Sequence, residues 1–405
     1  MSDKAFGTGA QNGFQAGVPQ DVSKDASKDA SKDASKDASK EFTLDALRTL
    51  PLTLDGVSFA GGTLAAFAES YARREGHLGD LARFLLDWRS QSPTTTVLTS
   101  GSTGAPKPIA VEKTRMAKSA RLTCDFLRLQ KGKRALLAMP LRYIAARMMV
   151  VRALVGGLDL VTVHPSASPL ADVMLPLDFA PLTAMQVYES LQDHACSKKL
   201  RQIRCLLVGG GAISTSLAHK LAEFPNEVWC SYGMTETLSH IALRRLNGPN
   251  ASEWYSTLPG VSVRLSPEGT LAIWAPMVLD GELVTNDLAE IDEAGRFRIL
   301  GRCDNVVNSG GIKIQLEAVE ELLEPVIRQP FCVTSLPDQR LGEKLVLLHQ
   351  GAESAENLDR LCRRVLPKYW VPKVYLQASR IPLTETGKKA RLAARELALK
   401  LSHRH

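Results

Sequence analysis

Ile203-Arg-Cys-Leu-Leu-Val208 runs straight into Gly209-Gly-Gly-Ala212, and Glu227-Val-Trp-Cys-Ser231 runs straight into Tyr232-Gly233. Short apolar runs cut off by glycine read as strands. The same form occurs earlier, where Thr95-Thr-Val-Leu-Thr99 reads as a buried strand entering a glycine-rich turn. Between such runs lie helical patterns: Leu81–Trp88 is amphipathic, Thr114–Leu129 carries Met116, Leu122, Phe126, Leu127 and Leu129, and Ile144–Val155 is a third. Strands that alternate with helices and end on glycine predict an α/β architecture. After about residue 260 the pattern changes to short strands separated by turns, at Ser266-Pro-Glu-Gly269 and Asp292-Glu-Ala-Gly295, followed by a small α+β segment. The main boundary is expected at Gly301–Asn305. It divides the chain into a tail (1–40), a large N-terminal α/β domain (41–302) and a small C-terminal α+β domain (303–405).

The 405 residues are 44% hydrophobic and 23% charged, which supplies a large core without disulfides or metal staples. The longest apolar stretch, Met148–Val163, is broken by Arg152 and Asp159, short of the ~18 uncharged residues of a membrane helix. Polar Ser2, Asp3 and Lys4 at the start argue against a secretory leader. The seven cysteines form no C-x-x-C pair, which disfavours zinc ribbons and disulfide scaffolds and predicts a cytoplasmic protein. Ser23–Ala38 repeats the unit S-K-D-A. Residues 1–40 hold six Lys and six Asp, so the net charge of +7 resides in the remainder. With no apolar face, the tail is expected to be disordered. A modest basic excess suits small anionic ligands as well as a solvated surface. Dispersed Arg and Lys and 6% aromatic residues do not favour nucleic acid.

Several stretches could carry chemistry. Thr99-Ser-Gly-Ser-Thr-Gly-Ala-Pro-Lys107 exposes backbone N–H groups and adds one cation, which suits a polyphosphate; Pro106 excludes a Walker loop. Gly209–Ala212 ends a strand, where open α/β sheets bind ligands and where a planar ring can lie against the main chain. In Ser231-Tyr-Gly-Met-Thr-Glu-Thr237, Tyr232 could stack on a base, Thr235 could meet a phosphate oxygen and Glu236 could hold Mg²⁺. Asp287, at the end of Gly281-Glu-Leu-Val-Thr-Asn-Asp287, could accept both hydroxyls of a ribose. Gly301-Arg-Cys-Asp-Asn305 with Ser309-Gly-Gly-Ile-Lys313, and then Pro382-Leu-Thr-Glu-Thr-Gly-Lys388, complete the set. Each alone also fits an ordinary surface loop or turn.

Taken in order, and with Leu366-Pro-Lys-Tyr-Trp-Val-Pro372 between the last two, these motifs resemble the adenylate-forming superfamily of acyl-CoA synthetases, adenylation domains and luciferases, over about residues 90–395. The resemblance implies activation of a carboxylate by ATP, with pyrophosphate release, and then transfer of the acyl group to a thiol, commonly that of coenzyme A. It implies that Thr99, Ser100, Gly101, Ser102, Thr103, Gly104 and Lys107 cradle phosphates. Gly209, Gly210, Gly211, Ala212, Tyr232 and Gly233 would enclose adenine, Thr235 would touch phosphate and Glu236 would hold Mg²⁺. Asp287 and Arg302 would bind ribose, Asp304 would be a hinge, Gly311 and Lys313 would face coenzyme A, and Lys388 would reach the carboxylate and α-phosphate.

Within the family, Met139-Pro-Leu-Arg-Tyr-Ile-Ala-Ala-Arg-Met-Met-Val-Val-Arg152 is most similar to ligases that join o-succinylbenzoate to coenzyme A in menaquinone synthesis. It marks Arg142, Tyr143 and Arg152 as acid-binding candidates. An arginine in an apolar helix is costly unless paired; a structural partner for Arg152 and a substrate carboxylate stand as its two readings. The chain departs from the family pattern at Asn286 (usually Gly), at Tyr143 (often His), at Gln315-Leu316 (commonly Ala-Pro) and in its short region, 41–98, before the phosphate loop. Another acyl- or aryl-CoA ligase, an enzyme that loads a carrier protein, and a non-catalytic nucleotide-binding protein are the rival readings.

Overall fold

The expected alternation builds a nine-stranded sheet. The computed structural model describes residues 42–98, 108–174, 176–384 and 387–402; the S-K-D-A repeats and all of Thr99–Lys107 lie outside them. From Phe42 onward the chain is one compact unit. Its large sheet contains β1 (Leu52–Leu54), β2 (Val57–Phe59), β5 (Arg134–Leu137), β6 (Asp159–Thr162), β7 (Phe179–Thr183), β8 (Cys205–Gly209), β9 (Glu227–Gly233), β10 (His240–Arg245) and β11 (Ser256–Thr257). Their order is β11-β10-β9-β8-β7-β5-β6-β1-β2. The inner pairs from β9 to β1 are parallel, and the outer pairs are antiparallel.

The helix Ile144–Gly156 is apolar apart from Arg147 and Arg152, and the structure buries it from Met148 to Val155 without a break. It stops at Gly157, whose φ of +64° closes the last turn. The helix expected over Thr114–Leu129 spans Lys113–Phe126. It ends early because Arg128 takes φ +53° and the Leu129 N–H reaches back to the Cys124 carbonyl, a Schellman closure. The strand expected at Thr95–Thr99 is β3 (Thr94–Leu98), and it forms a two-stranded ribbon with β4 (Pro108–Glu112) instead of joining the main sheet. Thr95 and Val97 face inward while Thr96 is exposed, so this strand is buried on one side only.

A second, antiparallel sheet comprises β12 (Ser262–Leu265), β13 (Thr270–Trp274), β14 (Glu282–Ile291) and β15 (Phe297–Arg302). The turns at Ser266–Gly269 and Asp292–Gly295 close by hydrogen bonds of 3.0 Å each. A single 3₁₀ turn over Cys303–Asn305 leads to a third sheet of β16 (Val306–Ser309), β17 (Ile312–Gln315), β18 (Phe331–Asp338), β19 (Gly342–His349) and β20 (Val374–Gln377). The helices Leu316–Leu323, Ala355–Val365 and Arg391–Ser402 accompany it. Its apolar residues form clusters distinct from those of the large sheet. Among the described residues no helix is long and apolar enough to cross a membrane.

Candidate active site

β8 and β9 run parallel as neighbours, with Val208 beside Cys230, so Gly209–Ala212 and Tyr232–Glu236 emerge together at the carboxyl ends of the strands. The approach is tight. A Cβ on Gly209 would sit 2.4 Å from Ser231 Oγ, and one on Gly233 would sit 2.2 Å from the Ser239 carbonyl oxygen. Glycine is therefore required at both positions by contact with neighbouring atoms. The turn after Gly233 is closed by Thr237 Oγ1, which accepts from the Met234 N–H at 3.0 Å and donates toward the Ser239 carbonyl at 2.7 Å. Thr235 is buried in this turn, and Glu236 projects into solvent with no ion pair among the described residues.

Asp287 and Arg302 face each other directly across β14 and β15. Arg302 Nη1 donates to Asp287 Oδ1 at 3.1 Å, and the Tyr232 hydroxyl donates to Asp287 Oδ2 at 2.6 Å. Burial and the adjacent Asp287 carboxylate push the Tyr232 phenol far above its ordinary range, so it stays a donor. Arg302 also grips Asp304 with two bonds, of 2.9 and 2.7 Å, and Asn286 Nδ2 donates to the same carboxylate at 3.4 Å. Burial alone would raise the Asp304 pKa, but the Arg302 contact holds it below the usual carboxylate range. Asn286, the departure from the usual glycine, is thus accommodated within β14 and bonded to the hinge candidate.

Lys388 enters the same region from the C-terminal segment. A Cβ on Gly211 would come within 3.3 Å of Lys388 Cγ and 3.4 Å of its Cε, so the methylene stem lies along this glycine. Lys388 keeps an exposed surface where its stem passes Gly211. Desolvation there lowers its ammonium pKa, with Asp287 pulling it up and Arg302 pushing it further down. The loop that carries it is closed by Thr384 N–H to the Lys388 carbonyl (2.7 Å) and Lys388 N–H to Thr384 Oγ1 (3.0 Å). Gly387 packs so closely on Met185 that a Cβ would meet that side chain at 2.8 Å.

The structure thus gathers Gly209–Ala212, Tyr232, Asp287, Arg302, Asp304 and Lys388. It does not bring Gly311 or Lys313 to them: both are exposed on the β16–β17 hairpin, with Gly311 at its tip. Arg142 and Arg152 occupy different surroundings. Arg142 is exposed beside the Tyr143 ring and lines a groove of about 500 Å³ with Phe84, Thr96 and Arg147. Tyr143 bridges to Leu98, the last described residue before Thr99–Lys107. Arg152 is 3% exposed, bonds Ser239 through Nη2, and leaves a buried Nε without a partner among the described residues. Burial lowers its pKa to about 10.

Sequence reasoning missed Met185, for which no local signal exists, and Ser239 and His240, which join Arg152 in a buried polar group. His240 Nε2 meets Thr123 Oγ1 at 3.1 Å. It also gave no part to Glu320, whose only signal was its spacing of three from Glu317 and which the structure buries against Arg391.

A family profile described as AMP-binding enzyme matches residues 24–286. The chain belongs to the AMP-binding enzyme family. Similar proteins include the 2-succinylbenzoate–CoA ligase of Salmonella typhimurium, 27% identical over 344 residues that span 79% of this chain and 71% of that one. A probable 2-succinylbenzoate–CoA ligase of Mycobacterium tuberculosis is 29% identical over 273 residues, 62% of this chain and 69% of that one. Among solved structures, an acyl-CoA synthetase (AMP-forming)/AMP-acid ligase II-like protein from Dyadobacter fermentans is 34% identical. The match covers 83% of this chain and 98% of that one with a TM-score of 0.55. The o-succinylbenzoate CoA synthetase of Bacillus subtilis in complex with its acyl-adenylate intermediate shares the fold, with a TM-score of 0.63, 23% identity and coverage of 74% and 68%. The two solved structures share the fold of this chain, the α/β architecture that the strand and glycine pattern predicts.

Proposed function

We propose that this AMP-binding family member is an ATP-dependent acid–CoA ligase, with o-succinylbenzoate as its acid and menaquinone synthesis as its setting. The observation that carries the reading is Lys388, seated along Gly211 beside the Tyr232–Asp287–Arg302 cluster. Attack of a carboxylate on an α-phosphate builds negative charge between two anions, and a fixed cation there lowers the barrier electrostatically. Thr99, Ser100, Gly101, Ser102, Thr103, Gly104 and Lys107 would hold the outer phosphates. Gly209–Gly211, Ala212, Tyr232 and Gly233 would hold adenine, and Asp287 and Arg302 the ribose. Thr235 would meet phosphate.

Among the described residues no three metal-ligating side chains gather. Glu236, an exposed carboxylate without an ion pair among the described residues, fits Mg²⁺, which commonly takes one or two carboxylates and completes its shell with phosphates and water. When bound, Mg²⁺ neutralises charge on the phosphates. Arg142, with Tyr143 beside it, and Arg152 are the acid-recognition candidates; a dicarboxylate needs a second cationic partner that a simple acid does not.

The second half-reaction needs Lys388 to withdraw. Asp304, at the junction of the 41–302 and 303–405 domains, is the hinge of this reading, and Gly311 and Lys313 would reach coenzyme A after rotation. The chain acts in the cytoplasm on small molecules, with no nucleic-acid or membrane partner. A second reading, another acyl- or aryl-CoA ligase, is supported by the name of the Dyadobacter fermentans relative. Incubation of the full chain with ATP, Mg²⁺, coenzyme A and o-succinylbenzoate, with products identified by mass, tests the proposal. It expects AMP and the CoA thioester, whereas ADP or no thioester would refute it.

A further inference from the structure

Of the three carboxylates on the helix Leu316–Leu323, Glu317 and Glu320 lie three residues apart and face two different segments. Glu320 is buried. Its Oε1 and Oε2 each accept from the Arg391 guanidinium at 2.8 Å. Lys389 Nζ lies 3.0 Å from Oε2, and the Val333 N–H donates to Oε1 at 2.8 Å. Burial alone would raise its pKa; Lys389, Arg391 and the Val333 N–H outweigh this and hold the carboxyl ionised.

Lys389 and Arg391 are the first and third residues after Lys388. Lys389 also bridges to Leu383, and the Ala390 N–H bonds the Pro382 carbonyl at 3.0 Å. Residues 382–384 are therefore tied to residues 388–390, with Lys388 exposed beside this junction and the neighbouring Lys389 and Arg391 bound to Glu320. One turn earlier, Glu317 accepts from Asn305 and Gln315, and it lies 3.6 Å from Arg391. Gln315 in turn donates to the Arg302 carbonyl at 3.1 Å. The same short helix thus holds both the Lys388 loop and the backbone next to Asp304.

A buried ion pair is a poor source of stability, since apolar residues of similar volume often do as well. A bidentate guanidinium–carboxylate pair does fix orientation. We infer that Glu320 is a positioning residue for adenylation: through Lys389 and Arg391 it sets the loop from which Lys388 reaches the Gly211–Asp287 cleft. This rests on the proposed role of Lys388 in adenylate formation.

The test uses the full chain and two separate assays, ATP–pyrophosphate exchange with o-succinylbenzoate and thioester formation from supplied o-succinylbenzoyl-adenylate and coenzyme A. Glu320→Gln should lower the kcat of exchange by about 10- to 100-fold, with KM for ATP changed by no more than about twofold and thioester formation by no more than about threefold. Arg391→Lys keeps the charge and loses the fork, and should show the same one-sided loss at about 5- to 10-fold. Should Glu320→Gln fail to fold, Arg391→Lys alone decides. Equal loss in both assays, or no loss in exchange, overturns the inference. Wild-type protein and Lys388→Ala run alongside separate the levels: no exchange by the wild type means the functional reading itself fails, exchange retained by Lys388→Ala means the role of Lys388 fails, and exchange lost in Lys388→Ala but not in Glu320→Gln means only the positioning role fails.

Discussion

Lys388 is a cation whose pKa is lowered by desolvation, with Asp287 raising it and Arg302 lowering it further. In the proposed reading such a group serves the reaction in which two anions meet, and not thiol attack on the adenylate. Lys388→Ala should therefore lose adenylate formation by ~10²–10³-fold and still convert supplied acyl-adenylate to thioester, measured in the two separate assays. Arg142→Leu and Arg152→Leu should raise KM for o-succinylbenzoate while KM for ATP stays nearly constant. A joint rise, or a fall in melting temperature without a KM effect, assigns the residue to structure. For Arg152 the contrast is sharp, because its burial against Ser239 satisfies only part of the guanidinium. His240 beside it is buried and neutral, with its pKa well below 6.5 owing to desolvation and then to Arg152. The unfolded chain takes up a proton near pH 6.5 that the folded chain refuses. The His240 contribution is thus complete above that pH and lost as pH falls below it, at up to ~1.4 kcal/mol per pH unit. His240→Gln should flatten the acid limb of the stability profile measured by denaturant titration, whereas an unchanged slope would exclude this account.

At the scale of elements, the Arg302–Asn305 junction carries the argument. Asp304 lies in a single 3₁₀ turn between two sheets, with its carboxylate tied back to Arg302 and Asn286. Proline fixes φ near −65° and would hold one rotational state. Asp304→Pro should keep ATP–pyrophosphate exchange and lose thioester formation, while Asp304→Ala, which removes the carboxylate without stiffening the chain, should retain both in part. Unchanged overall turnover in Asp304→Pro would contradict a hinge. Elements were largely legible from residue order. The helices at 77–89 and 144–156 and the strands ending at Gly209 and Gly233 follow from periodicity and glycine placement. What was not legible is pairing. Nothing in Thr95–Leu98 says that it would leave the main sheet for a ribbon with Pro108–Glu112, because a strand's partner is set by tertiary contact. The early end of the 113–126 helix depends on Arg128 adopting φ +53°, a conformation its residue type does not advertise.

For the whole molecule, the site was legible as a list and not as a geometry. Tyr232, Asp287, Arg302 and Lys388 were each singled out in the sequence, yet only folding shows one phenol and one guanidinium sharing a single carboxylate, with the lysine stem laid along Gly211. The Glu320–Arg391 fork joins residues 71 apart, a separation that no local pattern encodes. Substrate choice is harder still to read, because nucleotide motifs are shared across the family while acid recognition, in the proposed reading, rests on a few side chains such as Arg142. The most direct measurement is pyrophosphate release from ATP by the full chain across a panel of carboxylic acids. The account predicts release with o-succinylbenzoate and none above background with benzoate or acetate. Equal release with benzoate would contradict the assigned substrate, and no release with any acid would contradict the assignment as an adenylate-forming ligase.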